Sequence, residues 1–100
     1  FVFEGFLPIK SGRRKRRLEE LKTEVRTILL YESPHRLLRT LGELFENLGD
    51  RRISVSRELT KKFEQTVRGR ISAVKDYFGS KSIRGEFVLV VEGKDNAEDT

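Results

Sequence analysis

The apolar positions of this chain follow two rhythms. Leu37, Leu38, Leu41, Leu44, Phe45 and Leu48 recur at the three- and four-residue spacing of a helix with one buried stripe. Ser33 before them suits an N-cap, because its hydroxyl can accept a bond from a first-turn amide. Pro34 suits the first helical position, where a missing N–H costs nothing. The pattern predicts a helix over 34–48, with Gly49 as its C′ residue. A thinner stripe of Leu18, Leu21 and Val25 predicts a helix over 13–24. Ile71, Val74 and Phe78 predict a third, closed by Gly79.

The remaining apolar positions read as strands. Residues 1–6 alternate and stop before Pro8. Residues 27–31 are apolar without alternation, which predicts a central strand buried on both faces. Over 52–58, Ile53 and Val55 face one way and Ser54 and Ser56 the other. Residues 60–64 read as a loop, 65–70 as a short exposed strand and 80–82 as a loop. Residues 86–92, centred on Phe87-Val88-Leu89-Val90-Val91, form a buried strand that Gly93 stops. The order β-α-β-α-β-β-α-β implies a single α/β domain over 1–93, followed by a polar tail over 94–100. Its mixed five-stranded sheet is flanked by helices and is parallel in its first part. The strand at 65–70 follows too closely for a crossover and brings in antiparallel pairing.

Composition narrows the class. With 36% hydrophobic and 37% charged residues the 100-residue chain is globular, and no apolar run approaches the length of a membrane span. It has no cysteine, hence no disulfide or thiolate chemistry, and a single histidine, His35, argues against a zinc site of the usual kind. No signal peptide is visible, so a cytoplasmic location is expected. The absence of methionine leads to the expectation that the chain is a piece of something longer. The net charge of +5 is uneven, with six Lys or Arg and no acid across residues 10–17. Arg13, Arg14, Lys15, Arg16 and Arg17 make a candidate RNA contact, against the bland alternative of a solvated helix face.

Tyr31-Glu32-Ser33-Pro34-His35-Arg36 is the candidate centre. It gathers polar groups at the C-terminal end of a strand, where open α/β sheets bind ligands. Arg57-Glu58 ends another strand and Glu86 begins a third, so three charged strand ends could line one cleft or pair as surface ions. No Gly-rich phosphate loop or nucleophile elbow is present.

Five segments occur in order: Gly5-Phe6-Leu7-Pro8, residues 31–36, Arg57-Glu58-Leu59-Thr60-Lys61, Val67-Arg68-Gly69, and residues 84–93 from Arg84-Gly85-Glu86 to Glu92-Gly93. Together they resemble the C-terminal domain of the small-subunit ribosomal RNA (cytidine-2′-O)-methyltransferase family, within the tetrapyrrole methylase superfamily. The resemblance implies a two-domain, usually homodimeric enzyme with S-adenosylmethionine bound between the domains, no metal, and an N-terminal domain absent here. The substrate it implies is small-subunit ribosomal RNA or the 30S particle. It places Tyr31, Glu32, Arg57, Glu58, Glu86, Phe87 and Val88 at the cofactor. It leaves the catalytic residue open, with Glu32, His35 and Arg36 as cleft candidates, and adds Lys61 to the RNA contacts. A separate expectation is a basic RNA-binding or dimerisation module without catalysis.

Overall fold

The computed structural model describes residues 1–60 and 63–95, the side chains of residues 58–60, 63 and 64 excepted. Five strands and three helices follow the expected order: β1 (Val2–Phe6), α1 (Ser11–Leu21), β2 (Ile28–Glu32), α2 (Leu37–Leu48), β3 (Arg52–Thr60), β4 (Phe63–Arg70), α3 (Ile71–Gly79) and β5 (Glu86–Val91). They form one sheet in the order β1-β2-β5-β3-β4.

β5 sits between β2 and β3 and runs antiparallel to both, so only β1 and β2 pair in parallel. The parallel character expected of the first part is confined to that pair. β3 and β4 form a hairpin from the pairing of Arg52 with Arg70 to that of Thr60 with Phe63. Strand pairing therefore continues through residues 60, 63 and 64, where a loop was expected. Positions 61 and 62 lie outside the described residues, as do residues 96–100 of the expected tail.

All three helices cover one face of the sheet. The core joins Leu18 and Leu21 of α1, Leu37, Leu41, Leu44 and Leu48 of α2, and Ile71, Val74 and Phe78 of α3. From the sheet come Ile28, Leu30, Ile53, Val55, Phe87, Leu89 and Val91. β2 is accordingly not buried on both faces. Ile28, Leu30 and Glu32 point into the core, Leu29 is half-buried and Tyr31 is exposed. A strand with helices on one side alternates in exposure even when its residues are uniformly apolar.

Two helix boundaries differ from expectation for local reasons. α2 begins at Leu37, with Arg36 as an N-cap that makes no side-chain cap bond. The preceding residues form a separate turn, closed by a bond from the Arg36 N–H to the Ser33 carbonyl at 3.2 Å. The Ser33 N–H donates to Glu32 Oε1 at 2.8 Å, which ties this turn to the end of β2. α1 ends at Leu21, so Val25 lies beyond the helix and is exposed. The buried stripe of α1 is instead Arg14, Leu18 and Leu21.

The turn after α1 docks on the end of β5. The Lys94 N–H donates to the Glu24 carbonyl at 2.7 Å. The Glu24 carboxylate accepts from the backbone N–H of Arg26 at 3.1 Å and from its guanidinium at 2.9 and 3.2 Å. These bonds favour the charged carboxylate and hold its pKa down to about 2, against an ordinary 4.5. A depressed acid stabilises the fold above its unfolded pKa, and that contribution fades as pH falls through the folded value. The carboxyl carbon resonance of Glu24 is expected to titrate near pH 2, and Arg26→Ala to move the midpoint back toward 4.5. A wild-type midpoint above 4 would contradict the assignment.

Candidate functional site

β1, β2 and β3 run in one direction and β5 and β4 in the other, so their matching ends meet at one edge of the sheet. Glu32 pairs with Phe87, Arg57 with the same Phe87, and Glu58 with Glu86. The three charged strand ends noted in the sequence are therefore neighbours. Alternation along each strand then divides them between two faces.

On the face without helices, Tyr31, Glu86 and Val88 line a shallow groove with Phe6 and the edge of Phe87, of about 360 Å³. Tyr31 meets Phe3 and Phe6 edge-on, with ring centroids 5.4 and 5.7 Å apart. Phe3 and Phe6 are more than half exposed, at 57% and 59%, so the groove has an aromatic wall open to solvent. Phe6 was not singled out from the sequence as a site residue, although its segment belonged to the resemblance. Its position opposite Tyr31 in the parallel pair is what places it here.

On the helix-covered face lie Glu32, Arg57 and the body of Phe87. Glu32 is 3% exposed, and both oxygens are engaged. Oε1 accepts the Ser33 N–H at 2.8 Å, and Oε2 accepts the Thr40 hydroxyl at 2.6 Å. A carboxylate so placed fixes the turn that follows it and is not open to a ligand. His35 is exposed and Arg36 half-buried on that turn, between the end of β2 and the start of α2. Arg57 donates through Nη2 to Gln65 Oε1 at 2.5 Å, behind the sheet from Tyr31. The side chain of Glu58 lies outside the described residues.

The five-residue basic cluster of α1 separates into three environments. Arg13, Lys15 and Arg16 are exposed. Arg17 is half-buried and bonds Glu4 of β1 at 2.6 Å, with Glu20 at 3.8 Å. Its pKa is raised, chiefly by the hydrogen bond to Glu4. Arg14 is 2% exposed, and this removes it from the surface where a phosphate could reach it. Its Nε and Nη2 each lie 2.8 Å from Glu43 Oε1. Nη2 also donates to Thr40 Oγ1 at 2.7 Å, and Nη1 reaches the Pro8 carbonyl at 3.3 Å. Glu32 Oε2 is 4.0 Å from Nη2, with Thr40 bridging the two. Lys61 lies outside the described residues. Among the described residues no helix is long and apolar enough to cross a membrane.

This architecture, a mixed five-stranded sheet with three helices on one face, is found in a solved methyltransferase. The chain superposes on a cobalamin biosynthetic enzyme, cobalt precorrin-4 methyltransferase, with a TM-score of 0.64 at 19% identity, over 91% of this chain and 39% of that one. At that identity the likeness establishes the fold. The sequence relationship is much closer to proteins named ribosomal RNA small subunit methyltransferase I. The Bacillus subtilis protein is 52% identical over 98 residues, covering 98% of this chain and 34% of that protein. Those of Synechocystis and Thermotoga maritima are 50% and 43% identical over 93% and 95% of this chain. The chain is thus homologous to one segment of these methyltransferases and spans about a third of their length, 34% to 42% in these three. No known family profile matches it.

Proposed function

We propose that this chain is the C-terminal domain of an S-adenosylmethionine-dependent methyltransferase that modifies a cytidine ribose 2′-hydroxyl of small-subunit ribosomal RNA. The observation that carries this is the meeting of Phe6, Tyr31, Glu86 and Val88 in one groove at the strand ends of a domain homologous to proteins named ribosomal RNA small subunit methyltransferase I. The groove is fitted to the nucleoside part of the cofactor. Its aromatic wall offers a face for adenine, and the Glu86 carboxylate accepts bonds from ribose hydroxyls. It is also shallow, so a second wall has to come from elsewhere in the parent protein. Relatives about three times as long as this chain supply the chain length for that wall.

When bound, the cofactor supplies an electrophilic methyl on a sulfonium. The ribose hydroxyl that took this methyl would have to give its proton to a base. Glu32 does not take that proton, because both its oxygens already accept bonds in the interior. In this reading His35 and Arg36 face the ribose or its phosphate from the β2–α2 turn. Arg13, Lys15 and Arg16 supply diffuse attraction to the RNA backbone. The parent acts in the cytoplasm as a homodimer.

The test is methyl transfer from labelled cofactor to 30S subunits lacking the modification, with the full-length parent beside this chain. Label at a cytidine 2′-oxygen is expected with the parent and none with the chain alone. A folded parent that transfers nothing would remove the enzyme reading and leave a basic RNA-binding module.

A further inference from the structure

A second cavity lies behind the sheet, between the ends of β3 and β4 and the last turn of α3. It measures about 160 Å³ and is lined by Arg57, Gln65, Tyr77, Phe78, Lys81 and Ser82. That is several times the space one water occupies. Among the described residues its lining holds two cations and no carboxylate. Arg57 Nε is buried and has no hydrogen-bond partner, the one such side-chain atom among the described residues. A buried charged donor without a protein partner is costly, and such atoms commonly face a bound ion or water.

The neighbouring groups are arranged as donors. Arg57 Nη2 donates to Gln65 Oε1 at 2.5 Å, and Gln65 Nε2 donates to the Tyr77 hydroxyl at 2.8 Å. The Tyr77 oxygen therefore accepts, and its proton remains free to be given to a third group. Lys81 Nζ lies 5.0 Å from the centre of the Tyr77 ring. Lys81 and Ser82 are exposed and form the mouth. The negative end of the α3 dipole opposes an anion here. That opposition is blunted, because Ser80 Oγ caps the Tyr77 carbonyl at 3.1 Å and the Lys81 N–H caps that of Phe78 at 3.2 Å.

We propose that this cavity binds a phosphate group, held by the Arg57 guanidinium, the Tyr77 hydroxyl and the Lys81 ammonium. The site is separate from the groove beside Tyr31 and does not depend on the methyltransferase reading. The phosphate belongs either to an RNA backbone passing the mouth or to a small free phosphate.

Inorganic phosphate titrated into the labelled chain at constant ionic strength tests this. The Arg57 Nε–Hε signal and the amides of Lys81 and Ser82 are expected to shift saturably in the millimolar range. Lys81→Ala, an exposed change, is expected to weaken binding about fivefold, and Arg57→Gln to abolish it. If Arg57→Gln does not fold, Lys81→Ala alone decides. Non-saturating shifts, equal shifts with acetate, or unchanged affinity in Lys81→Ala would each overturn the proposal and leave a hydrated pocket. Competition at the same signals by a short unstructured RNA assigns the site to backbone phosphate. Phosphate binding without that competition assigns it to a small phosphate.

Discussion

Arg14→Ala is expected to lower the unfolding free energy by about 3–5 kcal/mol, because it strips the cation from a buried ionic cluster while leaving the anions in place. Glu32, 3% exposed, would keep its bonds from Ser33 and Thr40 but lose the nearby positive charge. Thr40 Oγ1 would lose the donor now 2.7 Å away, and Glu43 would lose its partner at 2.8 Å. The guanidinium also joins four parts of the fold: α1, the Pro8 segment, β2 and α2. For a domain of this size the loss is a large share of a total of roughly 5–15 kcal/mol. Urea unfolding should show a midpoint far below wild type at an unchanged slope. Arg14→Lys should fall between, since a single ammonium cannot reach Glu43, Thr40 and Pro8 at once. A midpoint for Arg14→Ala within experimental scatter of wild type would mean that the cluster contributes nothing. Arg16→Ala, on the exposed side of the same helix, serves as the comparison and should change stability by no more than about 0.5 kcal/mol.

Gly93→Ala is the second large effect, expected to cost about 3 kcal/mol or more through forced backbone movement. A Cβ on residue 93 would lie 2.1 Å from the Val25 carbonyl oxygen, 2.3 Å from its carbon and 2.6 Å from the Arg26 oxygen. All three are backbone atoms, so no side chain can turn aside to make room. The strain falls where Lys94 bonds Glu24 and Arg26 bonds the Glu24 carboxylate, so the docking of the 24–26 turn on the end of β5 should loosen with it. Thermal unfolding should show the loss, and amide exchange should show it concentrated at Arg26 and Lys94. Gly49→Ala makes a useful contrast. Its Cβ meets nothing within 4 Å, and its penalty comes only from a φ of 83°. Equal, small effects at the two positions would contradict the packing account of Gly93.

The element order was legible because each element carries its own period. The stripe from Leu37 to Leu48 is helical wherever it packs, and Phe87 to Val91 is too short and too apolar for a surface helix. The start of α2 was misjudged because residues 33–36 close a turn of their own, with the Arg36 N–H on the Ser33 carbonyl, and the helix opens only after it. Arg14 was read as a surface cation because residue type counts every arginine as polar. Only its spacing, four before Leu18 and seven before Leu21, hinted at the buried stripe. Gly93 was read as a strand terminator, whereas space decides it, since its neighbour lies sixty-odd residues away in sequence at Val25 and Arg26.

By itself the sequence determined the elements, their order, the uneven charge and the motif string that links the chain to rRNA methyltransferase relatives. These rest on near neighbours along the chain, and periodicity and residue type report them directly. Tertiary structure alone decided the insertion of β5 between β2 and β3, and with it the meeting of Phe6, Tyr31 and Glu86 at one edge. It also decided which face each strand-end residue occupies, so that Tyr31 opens to solvent while Glu32 and Arg57 turn toward the helices. The strand order follows from β5 pairing with β2 and β3 across long stretches of sequence, and the facing follows from helices packing on one side of the sheet; no local pattern in the chain encodes either.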